Sequence, residues 1–297
     1  MQTISKDQAI YAMSKDNPPA LTVKPGTTVL FETSDCFANQ IQSETDFSGL
    51  DWNKVNPATG PLYVEGAEPG DVLSVKIERI KIADTGVVFA EKGLGVLGHR
   101  LEGTYAKIFP IQDGKAVLTH ALQIPVNKHI GVMGVAPKEG SIGTATPDDH
   151  GGNLDCKELA EGATLYFEVN TPGALLAIGD LHAVMADGEC GASGLEVAGQ
   201  VTVTVDLIKG KKMPTPMIIT DTHITTIVSH EDLDIAVDKS AENLADYIMD
   251  TYNLSTTEAA MLLALAADMK ICQVVDPKKT ARTEIRKDYI GGGFLQD

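Results

Sequence analysis

Asp180, His182, Asp187 and Glu189 fall within ten consecutive positions of the stretch GDLHAVMADGECGASGLE, and the positions between them are small or apolar. In an extended chain, residues two apart share a face, so Asp180 and His182 can converge on one point, and Asp187 and Glu189 on another. Carboxylate plus imidazole is a donor set for Zn²⁺ or a similar divalent metal. A second stretch, TATPDDHGGNLD, gathers His150, Asn153 and Asp155 around Gly151 and Gly152, where missing side chains let backbone approach a ligand closely. A third, HIGVMGVAPKEG, opens on His129.

Each signal also has a plainer reading. An acidic residue in a turn sequence, as at Asp148, Asp149 or Asp187, ordinarily faces solvent or closes its own turn. His129 and His150, each taken alone, are as readily structural as catalytic. The weight therefore rests on Asp155, Asp180, His182 and Glu189 sharing one region dense in small residues.

The elements that must position these groups read mainly as strands. Short β-branched runs alternate with Gly, Pro, Asp and Asn turns over the first two thirds of the chain. In VTVTVDLIK, Val201, Val203, Val205 and Leu207 take one face, while VLSVKIERIKI changes phase after Ile77, which predicts a bulge near Arg79. Helical signals come late, with Ser240 as an N-cap in KSAENLADYIMDTY and a capping-box pattern from Ser255 to Glu258 ahead of AAMLLALAADM. ICQVVD then reads as a strand, and the tail carries a glycine run, Gly291 to Gly293. The pattern predicts a mainly β protein, a β-sandwich-like body over residues 1–215 with a smaller C-terminal α+β subdomain over 216–297.

Composition narrows the partners. The 297 residues hold 24 Lys plus Arg against 41 Asp plus Glu, a net charge of −17, which repels nucleic acid and anionic lipid. The N-terminus lacks a signal-peptide pattern and no apolar run is long enough to span a bilayer, so a soluble cytoplasmic protein is expected. Cys36, Cys156, Cys190 and Cys272 are too scattered for a disulfide framework, so reduced thiols are expected.

The segments HIGVMGVAPKEG, PDDHGGNLD and GDLHAVMADGE, the last with a following Glu, occur in the order that resembles the acetamidase/formamidase family, and the resemblance extends from TSDCF to QVVDPKKTAR. It implies a β body with a smaller C-terminal α/β part, a homodimer or higher homo-oligomer, and hydrolysis of short aliphatic amides to a carboxylate and ammonia. One departure is Ala186, which stands where members often have Gly; a positive φ there would be strained.

Under that resemblance Asp155, Asp180 and His182 are expected metal ligands, with Asp35 of TSDCF as a fourth and Zn²⁺ preferred to Ca²⁺ as the ion. Glu189 is expected to shuttle protons. Asn153 is expected to hydrogen-bond the substrate amide or the developing oxyanion, His150 or His129 to support the proton work, and Gly151, Gly152 and His129 to line the substrate. The small residues of these segments predict a narrow site for a short neutral amide. Two rivals stand beside this reading. A thiol mechanism at Cys156 or Cys190 would have acidic neighbours, which raise a thiol's pKa. A non-enzymatic β-sandwich binding Ca²⁺ or carbohydrate would give His182 no role.

Overall fold

Alternation of buried and half-buried residues sets the layers. In the strand Gly199–Ile208, Val201, Val203 and Val205 are buried while Thr202 and Thr204 are half-buried, the period of a strand with one face on a core. The structure is a computed structural model describing residues 1–45, 47 and 49–290; Gly291 to Gly293 lie outside the described residues.

The strands that position the site are, in chain order, β1 (Thr27–Thr33), β2 (Ala58–Val64), β3 (Val72–Ile82), β4 (Thr85–Glu91), β5 (His129–Gly134), β6 (Gly151–Asn153), β7 (Leu176–Val184), β8 (Leu195–Val197), β9 (Gly199–Ile208) and β10 (His223–His230). Helices α1 (Leu233–Tyr252) and α2 (Thr256–Ala266) follow, then β11 (Ala267–Gln273) and β12 (Lys279–Arg286).

Among the described residues, one sheet has nine strands in the order Gln2–Ile4, β1, β9, β3, Thr164–Glu168, Met217–Ile219, β10, β12 and β11. A second, eleven-stranded sheet contains β4, β8, β7, β5 and β6 as successive neighbours, with β2 paired to the first half of β7. Phe31, Val75, Ile77 and Val203 from the first sheet and Leu62, Ile130, Met133 and Ile178 from the second share one buried cluster. The molecule is therefore mainly β, two sheets packed face to face.

Local chemistry explains where the elements begin and end. The pairing of β9 with β3 shifts register between Thr202, opposite Arg79, and Val203, opposite Ile77, so the expected bulge falls at Glu78 and Arg79. Ser255 and Glu258 form the capping box of α2. Ser240 does not start a helix. Asp232 is the N-cap of α1, accepting from the amides of Asp234 and Ile235, and Ser240 is buried in the helix interior, bonded to Thr283. The apolar run of α2 stops at Ala266, so Ala267, Asp268 and Met269 open strand β11 instead of closing the helix.

The strands after residue 216 extend the nine-stranded sheet, because Met217–Ile219 pairs with Thr164–Glu168 on one side and β10 on the other. Leu244 and Ile248 of α1 pack with Ile224 and Ile285 over that end. This extension reaches back to the chemically interesting loop. Arg282 on β12 is fully buried and donates to Asp187 through two nitrogens at 2.7 and 3.0 Å, to Glu284 at 3.2 Å and to Glu158 at 3.4 Å. The Gly188 amide donates to the Cys272 carbonyl at 2.9 Å, fixing the same loop to β11.

A buried guanidinium bonded to three carboxylates leaves uncompensated charge when it is removed. Arg282→Met is expected to lower the unfolding free energy by about 3–5 kcal/mol, read as a drop in urea midpoint at unchanged slope. A midpoint like that of the parent protein would show the clamp to be dispensable.

Candidate active site

Three neighbouring strands place three proton-handling groups abreast. His182 on β7 is opposite His129 of β5 on one side and opposite Glu196 of β8 on the other. All three are at most 1% exposed. The His129 Nδ1 lies 2.8 Å from the Asn127 carbonyl, which can only accept, so Nδ1 carries the ring proton. Its Nε2 is then an acceptor for the His182 Nδ1–H at 3.1 Å, which leaves the His182 Nε2 lone pair facing the carboxylates. Burial keeps both rings neutral, lowering His182 and bringing His129, further opposed by its neighbour His182, to about 3.

Around that lone pair, Glu196 Oε1 lies at 3.1 Å, Asp180 Oδ1 at 3.7 Å and Asp155 Oδ1 at 3.8 Å. One ligand atom each from Asp155, His182 and Glu189 falls within 4.8 Å of the others, and Cys36, Asp180 and Glu196 form a second such group. Burial first, and then the charge of a neighbouring acid, pushes Asp155, Asp180 and Glu189 well above the usual carboxylate range. Burial raises Glu196 to about 8. Asp155 Oδ1 and Oδ2, Asp180 Oδ1, Glu189 Oε2, Glu196 Oε2 and Asn153 Oδ1 are buried without a hydrogen-bond partner.

The backbone is strained where the acids sit. Asp155, Asp180 and Glu189 have φ of 44°, 55° and 41°, a left-handed conformation held only when the surroundings enforce it. Asp180 faces Gly131 across the β7–β5 pair, and a Cβ on Gly131 would come within 2.5 Å of both Asp155 Oδ1 and Asp180 Oδ2. Gly131 is the floor on which the two carboxylates converge. The expected strain at Ala186 does not arise, because the positive φ falls on Gly188, at 95°, and Glu189.

The other residues singled out in the sequence are distributed unevenly. Asn153 lines the cavity; one N–H of its Nδ2 donates to Asp276 at 2.9 Å, leaving Oδ1 as an acceptor and the second N–H as a donor. Asp35 closes its own turn through Oδ1, accepting from the amides of Phe37 at 3.0 Å and Asn39 at 2.6 Å, while its charge acts on Asp180 and Glu196, and the adjacent Cys36 joins those two. His129 stands behind His182 and does not line the cavity. His150 is buried, with neither ring nitrogen hydrogen-bonded, and is not among the cavity's lining residues. Gly151 and Gly152, with φ of 92° and 87°, serve close packing: a Cβ would meet the Met133 carbonyl at 2.3 Å and the Thr146 carbonyl at 2.5 Å respectively.

Sequence reasoning noted Glu196, Asp276 and Cys36 only as parts of matched segments and gave them no role in the site. Glu196 was visible as an acid inside the apolar strand Leu195–Val197, and Asp276 as the acid ending QVVD. It also missed the outer wall. The cavity measures about 120 Å³ and is lined by Phe37, Trp52 and Phe89 as well as the acids. Phe37 and Trp52 pack on Phe89 with ring centroids 5.3 and 5.6 Å apart.

A sequence profile of the acetamidase/formamidase family matches residues 5–142 and 138–285 of this chain. Among solved structures, an acetamidase from Bacillus halodurans is 44% identical, superimposes with a TM-score of 0.96 and is covered over 100% of its length by 99% of this chain. A protein described as a predicted acetamidase/formamidase from Thermoanaerobacter tengcongensis is 48% identical at a TM-score of 0.96, covering 100% of this chain and 99% of that one. The formamidase of Methylophilus methylotrophus is 29% identical in an alignment of 259 positions, and the match spans 65% of this chain and 62% of that protein, less than two thirds of its length.

His150 gives the fold a measurable acid sensitivity. Burial lowers its pKa from 6.5 to about 4, so in that window the unfolded chain binds the proton and the folded one does not. Its contribution is complete above the unfolded value and is lost as pH falls towards the folded one. His150→Leu is expected to reduce the stability lost between pH 7 and pH 5 by about 2 kcal/mol, measured by urea unfolding at the two pH values. An unchanged difference would mean that other groups set the acid limb.

Proposed function

The chain belongs to the acetamidase/formamidase family, and from that premise we propose that it is a divalent-metal-dependent amidohydrolase cleaving short aliphatic amides to a carboxylate and ammonia. The observation that carries this reading is the set of uncommitted buried carboxylate oxygens facing the His182 Nε2 lone pair. Buried acids without partners are costly, and a cation is the group that would satisfy several of them at once.

Asp155, Asp180 and His182 would hold the ion, with Glu196 completing the set; imidazole, and the Cys36 thiol nearby, favour Zn²⁺ over Ca²⁺. His129 acts through His182, fixing its tautomer and aim. A divalent cation there would supply a Lewis acid for the amide carbonyl and would ease ionisation of water near neutral pH. The residues of the chain do the rest. Asn153 Oδ1 accepts an N–H of the substrate carboxamide, and Glu189, which a nearby divalent cation would hold ionised, takes the proton of the attacking water and passes it to the leaving nitrogen. The C–O bond forms, the C–N bond breaks, and carboxylate and ammonia depart.

A thiol mechanism is disfavoured at Cys156 and at Cys36. A bond to Cys272 together with burial raises the Cys156 thiol, and burial together with Glu196 raises Cys36. Free thiols throughout support a cytoplasmic setting, and no helix among the described residues is long and apolar enough to cross a membrane. Assembly into a homo-oligomer is supported by the apolar surface of α2 and edge strand β11, where Met261, Leu265 and Met269 are exposed.

Chelation is expected to abolish ammonia release from acetamide and Zn²⁺ to restore it; full turnover in a sample shown by elemental analysis to be metal-free would overturn the metal reading. Glu189→Gln should lower kcat by about 10²-fold or more while retaining metal, whereas His182→Ala should lose it. Gly131→Ala should retain the fold and lower kcat/KM by at least about 10²-fold, because a carboxylate displaced by an ångström no longer meets its partners.

A further inference from the structure

A second cavity of about 480 Å³ adjoins the acidic one, and Glu189 and Ser193 line both. Its walls combine residues 88–127 with the segment from Val184 to Leu195 that carries Glu189. Val88 on β4, Phe109, Leu118 and Ile124 from the hairpins of residues 104–125, Val184 at the end of β7 and Leu195 on β8 make them predominantly apolar. A volume of this size is that of a small-molecule site.

The polar side chains in these walls are almost all committed to the protein. Asn127 donates from Nδ2 to the Met185 carbonyl at 2.8 Å and accepts from the Met185 amide at 3.1 Å. Lys157 pairs with Asp187 at 2.9 Å, and Asp187 is held by Arg282. The Ser193 hydroxyl accepts from the Phe89 amide at 2.8 Å and donates to the Gly194 carbonyl at 3.0 Å. A charged or strongly polar ligand would find few groups here to replace its water, whereas an apolar group gains from leaving water.

We propose that this cavity receives the acyl substituent of the amide substrate, so that the substrate class includes primary amides with an apolar acyl chain or arylalkyl group longer than acetamide. The inference rests on the amidohydrolase reading of the acidic cavity. Orientation follows from Asn153, which lines the acidic cavity and not the apolar one. With the carboxamide nitrogen at Asn153 Oδ1, the acyl group extends past Glu189 into the larger space. The acidic cavity, at about 120 Å³, holds little more than the carboxamide itself.

The test compares acetamide, hexanamide and N-butylacetamide as substrates of the full chain, alone and with Leu118→Trp or Ile124→Trp, each at a wall position that does not line the acidic cavity. Wild type should show kcat/KM for hexanamide at least about tenfold above that for acetamide. Each Trp variant should lower the hexanamide value about tenfold and leave acetamide within about twofold. Ile124 is 41% exposed, so its substitution is tolerated by the fold even if that of Leu118 is not. Poor hydrolysis of hexanamide beside good hydrolysis of acetamide overturns the subsite, as does an equal loss on both amides in both variants. A preference for N-butylacetamide overturns the acyl orientation. No hydrolysis of any amide by metal-loaded wild type overturns the amidohydrolase reading itself.

Discussion

The structure is organised around keeping Asp155, Asp180, Glu189 and Glu196 together, out of water, beside one neutral imidazole. Carboxylates so placed hold their protons to unusually high pH, and Glu196 reaches about 8. The sign of the consequence for stability is definite. A carboxyl group whose folded pKa exceeds its unfolded value stabilises the fold below the unfolded value, and that contribution is lost as pH rises through the folded one. Near neutrality, without a counter-charge, the cluster therefore opposes the fold that contains it. Under the proposed reading a divalent cation reverses this, and metal binding and folding become linked.

Holding such a cluster requires neighbours that cannot give way. The β5–β7–β8 register supplies one axis, running from the Asn127 carbonyl through His129 and His182 to Glu196. The C-terminal extension of the other sheet supplies another. Arg282 grips Asp187, β11 pins Gly188, and Glu189 follows directly in a left-handed conformation. Asp276, beyond β11, reaches Asn153. The last strands and helices are thus part of the site's scaffold, because they fix the loop that carries Glu189.

Much of this was legible in the sequence because it is local. Period-two alternation located β9, a phase change located the β3 bulge, and a capping box located α2. Asp155, Asp180, His182 and Glu189 stand out because acids among glycines and alanines in strand-like sequence contradict the local pattern. What escaped depends on long-range pairing. Asp35 and Cys36 are adjacent in sequence, and the turn closed by Asp35 Oδ1 is what brings Cys36 to Asp180 and Glu196. His150 shares a motif with Asn153, yet the left-handed glycines between them turn its ring away from the cavity. Ser240 has the chemistry of a cap, but Asp232 starts the helix two turns earlier.

The division between small and large residues around the two cavities follows from what each group must do. Gly131, Gly151 and Gly152 allow backbones and carboxylates to approach within distances that a single Cβ would obstruct. Segments rich in such residues can build a reactive centre but cannot enclose a substrate, since they have no bulk to exclude water. Phe37, Trp52 and Phe89 close the acidic cavity, and Phe109, Leu118 and Ile124 line the apolar one. None of the six belongs to the three motifs that mark the chemistry. The apolar cavity is walled from two directions, with Val88, Phe109, Leu118 and Ile124 supplying bulk and the Glu189 segment from Val184 to Leu195 supplying the side that meets the acids.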